Sequence, residues 1–287
     1  SEDSNGWLLY PDGAPRYRVI YVNGGSANKH SLSLGKQGRD RLCAFVAAGG
    51  SYVGTCAGAF LASAGSKREG SNVKFTDIYT HLWPGYMHGS YLYKSRTPMR
   101  IERKSPLLRY YDFGGDGVVD SIYHNGGGYA LGDLQGNLPE KTEVLARYIF
   151  NNNKKVQIDN KPSICAYKDS DKSGRVVLCG SHPESVKSGE RLELMSAMLL
   201  YAMDGNGGPQ IKGILETDKQ REMCLKTVDN RPEFTRIGDK QYHHFKVIVP
   251  KRCERLVIEL KGYAGEDNFD LTLSAKFNEF AFADNTQ

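Results

Sequence analysis

The 287-residue chain has no apolar run close to the ~20 residues that cross a bilayer as a helix, so no membrane span is expected. It also has no Walker-type phosphate loop, so its activity is not expected to need ATP. None of its six cysteines forms a CxxC pair, and no Cys/His cluster has zinc-ligand spacing. Neither a metal nor another cofactor is therefore expected. Internal repeats and low-complexity stretches are missing, which excludes a solenoid or a disordered chain. No signal-peptide pattern opens the chain, which begins Ser1-Glu2-Asp3-Ser4-Asn5 without a Met. The net charge of +5 is too mild to indicate nucleic acid as a partner. Basic residues gather loosely at Lys94, Arg96, Arg100, Arg103, Lys104 and Arg109. A solvated face is the plainer account of them, and an anionic substrate or surface the sharper one.

What the chain does have is Gly54-Thr55-Cys56-Ala57-Gly58, between a short apolar run and a run of small residues. This reads as strand, sharp turn and helix with Cys56 at the tip, the form of a nucleophile elbow. Gly54 and Gly58 let the two backbones approach. The free N–H groups that open the helix favour the thiolate, the reactive form of the sulfur. A buried cysteine in a glycine-rich turn is the competing reading, and the rest of the chain decides between them.

Arg16 to Val22 has strand composition and ends at the flexible turn Asn23-Gly24-Gly25. Lys36 to Ala48 reads as a helix with Leu42, Cys43, Phe45 and Val46 inward, terminated by Gly49-Gly50. Strand, loop, helix, strand, turn and helix in that order argue for α/β with a parallel sheet. In such sheets ligands bind at the carboxyl ends of the strands. Residues 71–124 alternate strand-like runs and turns with dense aromatics, and Tyr123-His124 runs into Asn125-Gly126-Gly127-Gly128. Glu143 to Phe150 is a strand or a short helix. Ser163–Tyr167 and Arg175–Cys179 flank a polar turn and read as a hairpin, carrying Cys165 and Cys179 on its two strands. Glu190 to Met203 is an apolar-faced helix through Leu192, Met195, Met198, Leu199 and Met203. Gly205-Asn206-Gly207-Gly208-Pro209 breaks the pattern. Residues 1–204 are therefore expected as the catalytic domain, 205–211 as a linker, and 212–287 as a small β-sandwich with strands at Tyr242–Val249, Arg255–Leu260 and Phe269–Ala275.

A cysteine nucleophile needs a base, and the base needs an orienting partner. The hairpin's second strand delivers His182, and Glu184 two residues on points to the same side of an extended segment. Cys56, His182 and Glu184 are thus candidate catalytic residues, with the backbone N–H groups of Gly25 and Ala57 as a candidate oxyanion hole. Asn23, Gly24, His124, Asn125, Gly126 and Gly127 are candidate substrate-binding residues. His88, His124 and Trp83 read as cleft or core with equal weight. His30 reads as a surface residue, and Asp112, Asp116 and Asp120 read as solvated. His243-His244 are adjacent on a strand and face opposite ways, which argues against a metal pair. Asp267 and Asp270 read as a turn without an ion in preference to a calcium site.

The elbow together with Gly180-Ser181-His182-Pro183-Glu184 resembles the class I glutamine amidotransferase-like domains. The segments Tyr21-Val22-Asn23-Gly24-Gly25 and Tyr123-His124-Asn125-Gly126-Gly127-Gly128-Tyr129 sharpen this to one branch. That branch is the domain at the N-terminus of fungal-type biotin–protein ligases and in stand-alone bacterial proteins. The resemblance implies a flavodoxin-like three-layer sandwich and a Cys-His-Glu triad. Asn23 stands where the family's loop usually has Pro, and no biotin-ligase catalytic domain or ATP-binding synthetase portion follows, which argues against glutamine-fed amide synthesis. The segments Gly238–Val247, Leu256–Leu260 and Gly265–Leu273 resemble the bacterial pre-peptidase C-terminal domain, which implies a secreted or cell-envelope location. Cys224 and Cys253 are then the pair expected to form a disulfide if the chain is exported.

The function expected is a cysteine-nucleophile amide hydrolase acting on a small amide or peptide. Two readings compete with it: a glutamine amidotransferase subunit feeding ammonia to a partner, and a binding protein that keeps the fold without turnover. Intact Cys, His and Glu argue against the last.

Overall fold

A computed structural model describes residues 7–10, 12–67, 74–132, 136–221, 237, 240–261 and 271–282. The chain divides into two compact units, Tyr17–Gly208 and a discontinuous one of Ser1–Arg16 with Pro209–Gln287.

The larger unit is mixed α/β. Its strand β1 (Val19–Val22) pairs in parallel with β2 (Ser51–Thr55). Between them runs α1 (Ala27–Ala47), capped by the Ser26 side chain and broken at Gly35, whose φ of 62° and ψ of 179° are open only to glycine. The helix therefore starts nine residues before the expected Lys36. Polar Asn28, Lys29 and His30 hide the apolar periodicity of that first half. After β2 comes the short α2 (Ala57–Ala62). The expected hairpin is present as antiparallel β10 (Pro162–Tyr167) and β11 (Val176–Cys179), and β11 lies parallel to β2. The helix α3 (Glu190–Asp204) also forms as expected, but it buries Leu194 and Tyr201 and leaves Leu192 exposed.

The undecided segment is a strand, β9 (Thr142–Tyr148). Together with β6 (Ser95–Ile101) and β7 (Val118–His124) it completes a seven-stranded sheet of order β1-β2-β11-β10-β9-β6-β7. Only the first three strands are parallel; every pairing from β11 to β7 is antiparallel. The sheet is consistent with the expected α/β sandwich, but the parallel sheet that the flavodoxin-like reading implies is corrected to a mixed one. The links β6–β7, β9–β10 and β10–β11 carry no crossover helix, and strands joined that way pair antiparallel. The sheet curls, so that Tyr123 at the end of β7 bridges to His182 just past β11. A second sheet, in the region the sequence left unread, has the order β4-β3-β5-β8 from β3 (Gly65–Lys67), β4 (Lys74–Phe75), β5 (Tyr86–Gly89) and β8 (Gly128–Leu131).

Helices flank both faces of β2. The Tyr52 hydroxyl donates to the Gly58 carbonyl on α2 at 2.7 Å, while Val53 lies in the apolar cluster that holds Leu194, Met195, Met198 and Tyr201 of α3. Neighbouring strand residues face opposite ways, which places α2 and α3 on opposite sides. Trp83 is fully buried, its indole N–H donating to Thr142 at 3.0 Å, so it is a core residue.

In the other unit, β12 (Ile211–Leu215) and β13 (His244–Val247) pair in parallel. Asp12 makes a 2.7 Å ion pair with Lys212, both nearly fully buried, and His243 Nε2 lies 3.5 Å from the same carboxylate oxygen. Burial pushes the Asp12 carboxyl up, but His243 and Lys212 outweigh it and hold it well below the usual carboxylate range. His244 instead packs against Tyr242, Phe280 and Phe282, so the two histidines do face different partners. The expected strand Arg255–Leu260 is not formed, and the described residues of this unit hold one two-stranded sheet in place of a sandwich. β-propensity makes a strand only when a partner completes its hydrogen bonds, and Leu256, Val257 and Leu260 remain exposed. Cys224, Asp267 and Asp270 lie outside the described residues; Cys253 is a free, exposed thiol.

Candidate functional site

Because β1, β2 and β11 run parallel, their carboxyl ends open on one edge of the sheet. Asn23-Gly24-Gly25 follows β1, Cys56 follows β2, and His182 with Glu184 follows β11. Cys56 has φ 49° and ψ −107°, a positive-φ backbone uncommon for a side chain larger than glycine's. Close packing holds it there. Its N–H donates to the Cys179 carbonyl at 2.8 Å, and its own carbonyl accepts from Ala59 at 3.1 Å. A side chain on Gly54 would strike Gly58, and one on Gly58 would strike the Val22 carbonyl. Cys56 is buried, 6% exposed, and its sulfur lies 3.8 Å from the Asn125 carbonyl oxygen.

His182 Nδ1 is 2.9 Å from Glu184 Oε1. A carboxylate only accepts, so Nδ1 is the donor. The Cys56 sulfur and the Glu184 carboxylate beside it raise the imidazole to about 9, against the opposing pull of burial. Burial pushes Glu184 up, yet the hydrogen bonds from His182 and Thr55 leave it below its ordinary value. Thr55 Oγ1 donates to Glu184 Oε1 at 3.0 Å, so the Tyr21 hydroxyl, 2.9 Å from Thr55 Oγ1, is the donor to it. Burial first, then the nearby carboxylate, raises Tyr21 well above the usual phenol range. The His182 backbone N–H donates to the Tyr123 carbonyl at 2.8 Å, and the two rings lie 5.6 Å apart. Gly24 packs directly against the imidazole.

The glycine-rich loop after β7 joins the two sheets. Gly126 has φ 71°, and a side chain on Gly127 would strike the Gly180 carbonyl. Asn125 is exposed, with Oδ1 accepting from the Lys94 N–H at 3.2 Å. His124 is fully buried, 2.6 Å from Ser90 Oγ and 2.7 Å from Ser181 Oγ, and burial lowers it to about 4. It braces the loop from behind and does not reach the cleft surface. His88 is half-buried and stacks on Tyr129 at 4.8 Å. His30, expected on the surface, is half-buried and reaches the Gly24 carbonyl at 3.3 Å. Asp112, Asp116 and Asp120 are exposed, as expected.

The structure thus gathers Cys56, His182, Glu184, Asn23, Gly24, Gly25, Ala57 and Asn125 at one edge. Tyr21, Thr55, Ser181 and Tyr123 belong to the same edge and were not singled out from the sequence. Thr55 and Ser181 each directly precede a singled-out residue, and that adjacency is the signal that points to them. Among the described residues no three His, Cys, Asp or Glu side chains are placed to hold a metal, and no helix is long and apolar enough to cross a membrane.

No curated protein matches the chain. Solved structures similar to it include a glutamine amidotransferase at 17% identity, covering 63% of this chain and 79% of that one with a TM-score of 0.39. PurLQS from Thermotoga maritima is similar at 14% identity, covering 64% and 80% with a TM-score of 0.44. A putative ThuA-like protein from Bacteroides uniformis is similar at 15% identity, covering 72% and 78% with a TM-score of 0.44. The family model described as biotin-protein ligase, N terminal, matches residues 14–231, more than half of the chain. The chain belongs to the biotin–protein ligase N-terminal domain family.

Proposed function

We propose that the protein hydrolyses an amide C–N bond with Cys56 as nucleophile on an elbow, His182 as proton carrier and Glu184 as the group that orients it. The observation that carries this reading is the placement of Cys56 and His182 at the ends of the paired strands β2 and β11, with His182 Nδ1 donating to Glu184 at 2.9 Å; the sulfur and the carboxylate raise the imidazole to about 9. At neutral pH the ring is then an imidazolium, and the proton it carries is the one the leaving amine needs. The sulfur attacks the carbonyl carbon to form a C–S bond, and the oxyanion is met by the N–H groups of Gly25 and Ala57. His182 gives its proton to the nitrogen, the C–N bond breaks and the amine leaves. Water then adds to the thioester, His182 takes its proton, and the carboxylic acid departs with Cys56 restored. Asn23, Gly24, Asn125, Gly126 and Gly127 border the substrate.

The test is ammonia or amine release from a panel of small amides, glutamine included, without ATP. Cys56→Ala and His182→Ala should each remove nearly all turnover, and the double variant should be little worse, because such residues act as a unit. Undiminished turnover in Cys56→Ala would overturn the reading.

A further inference from the structure

We infer that the substrate of this site carries a negatively charged group, a carboxylate, bound by Arg96 and Arg191; this rests on the reading of Cys56 as the nucleophile. Arg96 Nη1 donates to the Ser121 carbonyl at 2.9 Å, and Arg191 Nη1 donates to the same oxygen at 3.1 Å. Two guanidinium groups on one carbonyl oxygen have nitrogens within about 6 Å of each other, a separation at which like charges repel. Among the described residues neither makes an ion pair. The nearby acids are placed otherwise. Asp116 accepts from the Val118 N–H at 2.8 Å, the Glu190 carboxylate packs against Gly114, and Asp120 neighbours Ser121 on an exposed part of β7. Two converging cations without a carboxylate form a receptor for one, since planar guanidinium groups match its geometry.

Register places Arg96 on the face of the β6–β7 ladder that carries Tyr123. Arg96 is directly opposite Tyr123 in the β6–β7 ladder, so their side chains leave the same face. The Tyr123 ring on that face meets the His182 ring at 5.6 Å. The ladder slips its register between Thr97 and Met99, and Ser121 has φ 55°. Such an irregularity re-aims the backbone, here the carbonyl that gathers both arginines. Lys94 is exposed, and its backbone N–H donates to the side chain of Asn125, whose carbonyl lies 3.8 Å from the Cys56 sulfur.

The experiment needs no known substrate. The Cys56 thiol is alkylated with N-iodoacetyl-glycine, which carries a carboxylate, and with its neutral counterpart N-iodoacetyl-glycinamide. In each, carbon–sulfur bond formation displaces iodide, and the labelling rate at Cys56 is read by peptide mass spectrometry. The anionic-to-neutral rate ratio should exceed that of a free thiol by about tenfold and fall with added salt. It should collapse toward the free-thiol ratio in the Arg96→Gln/Arg191→Gln variant, and return in Arg96→Lys/Arg191→Lys. An unchanged ratio in a folded Gln variant, with Cys56 still reactive, would overturn the charge proposal and leave the nucleophile reading intact. A Cys56 that reacts with neither probe faster than Cys253 would overturn both.

Discussion

Gly24 has no room for a side chain, because a methyl group there would occupy the place of the His182 ring. Gly24→Ala should therefore push the imidazole off its line to Cys56 while sparing the fold. Turnover is expected to fall about a hundredfold, as for a displacement of roughly 1 Å at a reacting group, with the thermal midpoint little changed. The Cys56 sulfur first, and the Glu184 carboxylate second, hold the proton on the same ring. The step that needs imidazolium is lost as pH rises through about 9, which sets the alkaline limb of activity. Replacing the carboxylate with an amide removes one cause of the elevation, so Glu184→Gln should move the alkaline limb of kcat/KM to lower pH and keep measurable turnover. A limb that stays in place would show that Glu184 does not act through His182. At this scale Cys56, His182 and Glu184 could be nominated as candidates because glycine spacing and a His-x-Glu offset are local patterns. Tyr21 and Thr55 were not, since their role arises from hydrogen bonds between strands far apart in sequence.

The elements were legible where connection and pattern agree. The parallel pair β1 and β2 follows from the helix that links them, and β11, reached through its hairpin with β10, joins them to set Asn23, Cys56 and His182 at neighbouring strand ends. The β10–β11 hairpin was legible from its polar turn, but the pairing of β6, β7 and β9 and the second sheet were not, because those strands pair across long or irregular connections that leave no local pattern. The first half of α1 was missed for a different reason: Gly35 interrupts the periodicity, and the cap at Ser26 is a single residue. That break is testable. Gly35→Ala has open space around the added methyl, so its effect is backbone strain alone. Denaturant unfolding should show a loss of about 1–3 kcal/mol. A neutral or stabilising result would mean that the helix runs straight through.

For the molecule as a whole, acid should act first through His124. An unfolded histidine titrates near 6.5, while the buried ring is held to about 4. Between those values the unfolded chain binds more protons, so stability present above about 6.5 is lost as pH falls toward 4, by roughly 3 kcal/mol at most. Urea midpoints measured across that window should fall in the wild type and flatten in His124→Gln. Asp12, depressed in the folded state, adds its own loss only below its unfolded value. Its partner is the larger risk: Asp12→Asn leaves the charge of Lys212 buried and unpaired, at a cost of about 3–5 kcal/mol. That ion pair joins residues 200 positions apart in the chain. On the ribosome Asp12 emerges early and must stay hydrated until Lys212 follows it, roughly 10–40 s later at ordinary elongation rates. The strands and helices of Tyr17–Gly208 are all synthesised within that interval. The segment around Asp12 is therefore made before the Tyr17–Gly208 unit and completed after it, and a nascent chain stalled before Lys212 should present that segment to proteases while the Cys56 edge is already assembled.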